Sequence, residues 1–260
     1  MEKNNLTSEE YWNKQYVSEI KGNIYRINPF VNLAVAELDS VFKRILPKNN
    51  AHTFIEIGCA PGIWMEYFHR EFDYQVDGIE YTKNGYEKTL KNLKAYGIQS
   101  TVYHQDFLNN NIEKRYNVVF SGGFIEHFED PYEVIKKHVE LLVSNGIVIL
   151  EIPNFSGMNG WFQRHLNKEI YEKHNVGIMN LEYFQSVSDT LNLEVLYLGY
   201  VGKINFSLFQ GNTFVIILLA LVQKFLTAIY LILGKRLPID NSKSHSPYIV
   251  AILKKKTVEV

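Results

Sequence analysis

Glycines and acids follow three predicted strands of the sequence, at places where they could hold a nucleoside. Gly58 and Gly62 flank a turn that leads into a predicted helix, and a helix start favours an anionic group such as a carboxylate. Glu80 ends the second strand, where an acid can accept hydrogen bonds from both hydroxyls of a ribose. After the third strand, Asp106 could accept from an exocyclic amine, and Phe107 could cover a base plane. Their order along the chain predicts a single ligand site.

Two histidines are the candidates for proton chemistry. His127 follows the fourth strand, on the same side as the predicted ligand site, and His174 lies in a Lys-His-Asn segment further along. An imidazole with a pKa near neutral suits a general base, whose help is typically worth about 10²–10⁴-fold in rate. Each has a structural alternative: His127 as a helix-entry residue bonded to backbone, and His174 as a surface loop residue.

The elements that must position these residues alternate between strand and helix across residues 53–152. Apolar runs predict strands over 53–57, 75–79, 101–104, 116–121 and 146–152. The intervening segments carry apolar residues at helical spacing. This alternation is typical of an α/β fold with a parallel sheet and helices on both faces. Because ligands of such sheets bind beyond the C-terminal ends of the strands, the segments described above are expected to meet there.

Capping signals set the predicted helix boundaries. A helix over 7–20 has Thr7 and Glu10 at capping-box spacing, and another is predicted over 29–46. The helix over 83–96 carries Leu90 and other apolar residues on one face and ends at Gly97, which suits the left-handed position after a helix. Asp130 is the predicted N-cap of the next helix. Further strands are predicted near 191–200 and 246–254.

The turn after the first strand departs from the dinucleotide pattern Gly-x-Gly-x-x-Gly. Ala60 stands at the middle glycine position and Ile63 at the third, which normally allows close packing of the helix. The sequence has room for a ribose and an adenine, but its pyrophosphate turn is poorly made. A nucleoside ligand is therefore favoured over NAD.

Together, the segments EIGCAPG, GIE, HQDF and FIEHFEDP resemble the class I S-adenosylmethionine-dependent methyltransferases. The resemblance covers about residues 8–201 and again the final strand. It implies a Rossmann-like sheet of seven strands, mostly parallel, with a reversed last strand inserted between the fifth and the sixth. It also implies an enzyme with S-adenosyl-L-methionine as cofactor. The cofactor-binding residues that the resemblance implies are Glu56, Gly58, Cys59, Gly62, Glu80, Tyr81, Asp106, Phe107 and Gly122.

The resemblance also divides this set by the part of the cofactor that each residue holds. Glu56 and the two loop glycines hold the methionyl part, Glu80 holds the ribose, and Asp106 with Phe107 holds the adenine. Cys59, the one cysteine of the chain, is expected to be a small packing residue of the cofactor loop rather than a nucleophile.

Two narrower resemblances concern the acceptor. EHFEDP resembles small-molecule methyltransferases that include the ubiquinone-type enzymes, and IPNFSGMNGW with EKHNV and MNLEYF resembles methyltransferases of bacterial surface-polysaccharide gene clusters. They imply an acceptor-site insertion over 153–182, and O-methylation of a sugar or lipid-linked glycan in polysaccharide biosynthesis. Methylation of a quinone or another small aromatic acceptor stays open, as does a non-catalytic nucleotide-binding module.

Glu126 and His127 are similar to part of a metal-binding Glu-x-x-Glu-His-His pattern of RNA end-methylating enzymes. Gly123 stands at the first glutamate position and Phe128 at the second histidine position. Since only two ligands of that pattern remain, the sequence predicts no dedicated metal site. APGIW is similar to ribose-methylating RNA enzymes, but their Lys-Asp-Lys-Glu set is not matched.

Composition limits the partners and the compartment. The 260 residues carry 27 basic and 28 acidic side chains, so the chain has no electrostatic footprint for nucleic acid. With one cysteine, no internal disulfide can form. The polar, acidic N-terminus lacks the apolar stretch of a signal peptide, which predicts a cytoplasmic protein. A small molecule or a glycan is the expected partner.

The C-terminal third contains a long apolar segment. An N-terminal helical cap over 1–50 and a methyltransferase domain over 51–260 are predicted, the domain carrying an apolar helical insertion over 203–245. Within it, residues 213–234 have about the length that spans a bilayer, about 20 residues, but Gln223 and Lys224 divide them into two apolar stretches. A spanning segment would leave the last strand on the wrong side, so three alternatives are kept: a cover for the core, a homodimer interface, or a helix at the inner surface of the cell membrane.

Overall fold

The computed structural model describes residues 5–16, 27, 33–206, 214–233 and 240–257. The predicted helical residues 17–20 and 29–32 lie outside these ranges.

A single seven-stranded sheet organises the described chain, in the order β3-β2-β1-β4-β5-β7-β6. Its strands are β1 (Thr53–Ile57), β2 (Gln75–Glu80), β3 (Val102–His104), β4 (Tyr116–Gly122), β5 (Leu142–Pro153), β6 (Leu193–Val201) and β7 (Tyr248–Lys255). The pairs from β3 to β5 are parallel, whereas β7 runs antiparallel to both β5 and β6. The predicted Rossmann-like sheet with a reversed last strand is confirmed.

Nine α-helices lie within the described ranges. They are α1 (Glu9–Gln15), α2 (Leu33–Ile45), α3 (Ile63–Phe72), α4 (Lys83–Tyr96), α5 (Tyr132–Glu140), α6 (Gly157–Leu166), α7 (Lys168–Glu172), α8 (Leu181–Thr190) and α9 (Phe214–Leu233). The helix predicted over 83–96 begins at the N-cap Thr82, whose hydroxyl accepts from the Gly85 N–H, and ends at Gly97 with φ +74°. Local signals were therefore sufficient for its bounds.

Several predicted details are wrong. Ser8, not Thr7, caps α1, because the Thr7 hydroxyl accepts from the Trp12 indole N–H instead. Leu90 is 39% exposed and not part of the inner face of α4. Pro131 occupies the N-cap position predicted for Asp130, although Asp130 still accepts from the Tyr132 N–H at 3.1 Å.

The core lies on both faces of the central strands, as their uniformly apolar sequences require. On one face, Phe54, Phe68 and Phe120 stack with centroid separations of 4.5 to 6.1 Å. On the other face, buried residues of β4, β5 and β7 meet α5 and α8. The central strands are thereby fixed, and their C-terminal ends form a rigid edge for the loops that follow.

The helix α9 differs from all the others. Only Ile216 of it is buried, and it is long and apolar enough to cross a membrane, with a mean hydropathy of 2.4. Its polar residues Gln223 and Thr227 are half-buried, and the side-chain Oε1 of Gln223 accepts from the Phe206 N–H at 2.8 Å. Its outer face is apolar, as at Leu221 and Phe225. The alternative in which this segment covers the core is therefore wrong.

Candidate active site

A cavity of about 1080 Å³ opens at the C-terminal ends of β1, β2 and β4, the place predicted for the ligand. This volume is at the upper end of the usual range for small-molecule sites, about 300–1,000 Å³. The glycine loop forms part of its wall, and α1 lies across it with Trp12 and Tyr16. His127 and Lys173, from the loop after β4 and the segment after α7, also line it.

The glycine loop after β1 has the backbone that only glycine adopts easily. Gly58 has φ +70°, and a Cβ there would lie 2.9 Å from the Phe124 ring. Gly62 has φ +88° and is the N-cap of α3. Gly58 lines the cavity, whereas the space around Gly62 is filled from behind by Thr89 and Leu93. The loop thus offers backbone to the cavity on one side and packs on α4 with the other.

Glu80 is the acid at the end of β2, and it lines the cavity while 5% exposed. Its Oε1 accepts from the Thr82 N–H at 2.8 Å and from the Thr82 hydroxyl at 2.6 Å, which fixes the carboxylate. Burial raises the pKa of Glu80. Next to it, Tyr81 lines the cavity with a buried hydroxyl that has no partner among the described residues. Both are therefore placed to hydrogen-bond a polar ligand.

Glu56 and Cys59 lie behind the cavity wall. The Glu56 Oε2 accepts from the Met65 N–H at 3.1 Å, and burial raises the pKa of this carboxyl well above its usual range. Cys59 is fully buried, and its Sγ lies against Gly78. Neither side chain lines the cavity, so Glu56 acts on the loop through α3, and Cys59 packs as expected.

Asp106 and Phe107 follow β3 and line the cavity together. The Asp106 carboxylate accepts from the Leu108 N–H at 2.9 Å and from the Asn109 side chain at 2.6 Å. The Phe107 ring is buried edge-to-face against Phe124, with centroids 5.8 Å apart. Gly122, at the end of β4, also lines the cavity. The segments predicted from the sequence to share a site are therefore brought together.

The histidines lie side by side, with ring centroids 4.5 Å apart. The Nδ1–H of His127 donates to the Lys173 carbonyl at 2.8 Å, and the Nδ1–H of His174 donates to the Ile170 carbonyl at 2.6 Å. Each Nε2 therefore carries the lone pair. Burial lowers the pKa of His127 to about 3, helped by His174, and burial lowers the pKa of His174 to about 4.

Asn175 explains why a distant segment reaches His127. Its side chain donates to the carbonyls of Phe128 and Glu129 at 3.0 and 2.9 Å, and its N–H donates to the Glu126 carbonyl at 2.7 Å. The Lys-His-Asn segment is thus fastened along the loop after β4. His127 lines the cavity, and His174 stands directly behind it.

The sequence profile of a family described as "Methyltransferase domain" matches residues 31–198, well over half of the chain. The chain belongs to this methyltransferase family. No curated protein sequence matches it significantly.

Solved structures share the fold of this methyltransferase at low sequence identity. The plantazolicin methyltransferase BpumL, in complex with a monoazolic desmethylPZN analog and SAH, is 17% identical with a TM-score of 0.56, over 88% of this chain and 85% of that one. Geranyl diphosphate C-methyltransferase from Streptomyces coelicolor A3(2), with Mg²⁺, geranyl diphosphate and S-adenosyl-L-homocysteine, is 10% identical with a TM-score of 0.57, over 85% and 78%. Coclaurine N-methyltransferase, bound to N-methylheliamine and SAH, is 14% identical with a TM-score of 0.56, over 92% and 76%.

The cofactor of this methyltransferase is S-adenosylmethionine, and the cavity fits it. Glu80 offers a fixed carboxylate to the cavity, and a Cβ at Gly58, which also lines it, would lie 2.9 Å from the Phe124 ring. Asp106 is exposed at the cavity edge. Carboxylates at the ends of β2 and β3 match the hydroxyls and the amine of a nucleoside.

The helix α1, with Tyr16 directly after it, covers the site, and this was not predicted from the sequence. Tyr16 donates to the Ala60 carbonyl at 3.4 Å, and Trp12 contacts the His127 ring edge-to-face with centroids 5.0 Å apart. Burial and the Glu80 carboxylate raise the pKa of the Tyr16 phenol. The signal was present, because both aromatic rings lie on one face of α1 at a spacing of one helical turn.

Proposed function

We propose that this methyltransferase transfers a methyl group to a hydroxyl of a sugar, most specifically on a lipid-linked glycan. The observation that carries the proposal is the part of the cavity lined by His127 and Lys173, which is called the acceptor end below. There the His127 Nε2 is a hydrogen-bond acceptor in a buried setting, and the carboxylate of Glu126 lies 3.8 Å away. Such groups recognise a hydroxyl proton and offer little to a hydrocarbon ring.

The chemistry divides between cofactor and protein. S-adenosylmethionine supplies an electrophilic methyl group on a sulfonium sulfur, so the protein has mainly to orient the acceptor and exclude water. The acceptor oxygen takes the methyl group and its proton passes to the His127 Nε2 and from there to solvent, while the sulfur keeps the electron pair of the broken bond. His127 is placed to take the hydroxyl's hydrogen bond, with His174 behind it. With a pKa of about 3, His127 is a weak base on its own.

The lipid-linked character rests on α9. Phe162 of α6 contacts Phe206 with centroids 5.9 Å apart, and Phe206 is bonded to Gln223 of α9. The helix α6, in the predicted acceptor-site insertion, is therefore connected to α9 through Phe206. An acceptor carried on a lipid would reach the cavity from the surface that α9 contacts.

In this proposal α9 lies along the inner surface of the cell membrane. A single crossing would put β6 and β7 on opposite sides of the bilayer, yet they are neighbours in the sheet. The exposed apolar side chains Leu218, Leu221 and Phe225 face outward, with Lys224 among them for anionic headgroups. The protein is then cytoplasmic and peripheral.

Flotation with anionic vesicles tests the membrane contact. The intact protein is expected to float with them, and Leu221→Glu is expected to reduce the bound fraction about tenfold or more, because burying a leucine contributes about 1.5–3 kcal/mol. Leu90→Glu, at an exposed leucine of α4, is the matched control. An intact protein that does not float and forms a dimer in solution would instead favour α9 as a subunit interface.

A partition assay tests the acceptor. The protein is incubated with S-adenosylmethionine carrying a labelled methyl group and, in parallel, with lipid-linked glycans, nucleotide sugars and a prenyl quinone. Label is expected in the glycolipid fraction. Label only in the quinone fraction would overturn the proposal in favour of the aromatic acceptor. Binding of S-adenosylmethionine with no transfer to any of these would also count against it.

A further inference from the structure

Glu126, His127 and His174 form a compact cluster beside the acceptor end of the cavity. One ligand-type atom from each of the three side chains lies within 4.8 Å of those of the other two. Glu126 is 1% exposed and His127 6% exposed, and the Glu126 Oε2 is buried with no hydrogen-bond partner among the described residues. A buried carboxyl oxygen that makes no hydrogen bond is costly, so this cluster calls for an explanation.

Both imidazoles are oriented as metal ligands are. Each uses its Nδ1–H on a backbone carbonyl, Lys173 for His127 and Ile170 for His174, which leaves both Nε2 atoms free of a proton. Metal-ligating histidines almost always donate their other ring N–H to a carbonyl or carboxylate in this way.

We propose that Glu126, His127 and His174 bind a divalent transition-metal cation next to the methyl acceptor. Two histidines and one carboxylate are a donor set for Zn²⁺, Mn²⁺ or Fe²⁺ that leaves coordination positions open. Ligand atoms of a tetrahedral site are about 3.3 Å apart, from bond lengths near 2.05 Å. The three atoms, which lie within 4.8 Å of one another, would have to move closer by up to about 1.5 Å when a cation binds.

The sequence alone pointed away from this site, because Gly123 and Phe128 lack ligating side chains. The third ligand comes instead from His174, which Asn175 fastens against the loop after β4. Glu151 adds a second buried carboxyl, which interacts electrostatically with Glu126. Its Oε1 also lacks a partner among the described residues.

A cation at this point would deepen the proposed function, and this step rests on it. A divalent cation lowers the pKa of a hydroxyl that binds it, which allows the proton to leave to solvent as the oxygen takes the methyl group. His127 then acts by holding the cation rather than by accepting the proton itself.

The test measures metal bound to tag-free, full-length protein. Zn²⁺ and Co²⁺ are titrated by calorimetry, and the metal retained after dialysis is counted per chain. One equivalent is expected, with much weaker binding of Mg²⁺ because its preferred ligands are oxygens. His174→Ala and Glu126→Gln are each expected to weaken Zn²⁺ binding about 100-fold or more. His165→Ala is the matched control, since His165 also donates to the carbonyl four residues back but is exposed and outside the cluster.

Calorimetry with S-adenosylhomocysteine separates loss of metal from loss of fold, because a folded variant keeps its affinity for the cofactor product. Absence of stoichiometric Zn²⁺ or Co²⁺ binding in the intact protein would overturn the proposal. So would unchanged affinity in both cluster variants. These measurements need no acceptor, so a protein that binds metal but methylates no glycan would contradict the proposed acceptor and not the metal site.

Discussion

At the cofactor end of the cavity each acid is held by its own segment, whereas at the acceptor end the side chains are held across the chain. Glu80 is fixed by Thr82, and Asp106 by Leu108. His127, by contrast, is fixed by the carbonyl of Lys173, through a segment from the other side of β5. Local sequence therefore builds the cofactor end, and tertiary packing builds the acceptor end. A substitution at one end should change cofactor affinity or methyl transfer, but not both.

The largest expected effect is at the acceptor end. His127→Ala is expected to lower the rate of methyl transfer by about 10²–10⁴-fold, whether the ring acts on the proton directly or through a cation. Affinity for S-adenosylhomocysteine should stay the same, because the cofactor end does not depend on this ring. Single-turnover transfer and calorimetry measure the two quantities, with His165→Ala as control. An equal loss in both would show that the two ends are not independent.

Glu80→Ala changes the cofactor end instead of the acceptor end. It removes the carboxylate expected to bind both ribose hydroxyls, which is worth roughly 1–3 kcal/mol, or about 5–150-fold in affinity for S-adenosylhomocysteine. Glu87→Ala, at an exposed glutamate of α4, should have no effect. Zn²⁺ binding should be unchanged in both variants. Normal cofactor affinity in Glu80→Ala would remove this residue from the site.

His138 tests the packing that both ends share. It is fully buried, with its ring edge-to-face on Phe107 at 4.7 Å, and burial lowers its pKa to about 4. Because the unfolded chain takes up the proton near pH 6.5 and the folded one only near 4, stability is complete above the unfolded pKa and falls as pH drops toward 4. The contribution lost between pH 7 and pH 5 is about 2 kcal/mol.

Urea unfolding of the intact protein and of His138→Gln measures this contribution. The difference in unfolding free energy between pH 7 and pH 5 should be smaller in the variant by that amount. Equal differences in the two proteins would mean that His138 is not held neutral by the fold.

The smallest effect is expected from Asn175→Ala. The variant loses two hydrogen bonds to the Phe128 and Glu129 carbonyls, worth about 1–2 kcal/mol of stability together. Methyl transfer should slow while cofactor affinity is kept, because only the acceptor end is loosened. Asn241→Ala, which loses surface hydrogen bonds to Lys203 and Glu37, is the control. A loss of cofactor affinity in Asn175→Ala would contradict the division between the ends.

The same division explains how much could be predicted from the sequence. The strand β1 and the helix α4 were placed at their observed bounds, because an apolar run and Gly97 are local signals. Gly58, Glu80 and Asp106 were likewise assigned to the cavity, since each follows a strand. The position of Cys59 behind the wall required the packing against Gly78, and that contact is not encoded in nearby residues.

The acceptor end was less predictable for the same physical reason. The meeting of Glu126 with His174 depends on Asn175 and on the course of α6 and α7, which no periodicity reveals. The cover formed by α1 also depends on docking, although its aromatic spacing was visible. The outward apolar face of α9 became apparent only when its neighbours were known, because the residue pattern does not say which side is free.

The position of β7 between β5 and β6 has a consequence for the order of folding. During synthesis, β6 and then α9 leave the ribosome before β7 does. Until β7 arrives, β5 and β6 each expose an unpaired strand edge, which favours aggregation. The apolar α9 is therefore available before the sheet closes. In the proposed membrane contact, α9 would bind the lipid surface before β7 is synthesised. The membrane would then keep the incomplete sheet from aggregating, so the same contact would assist folding as well as substrate access.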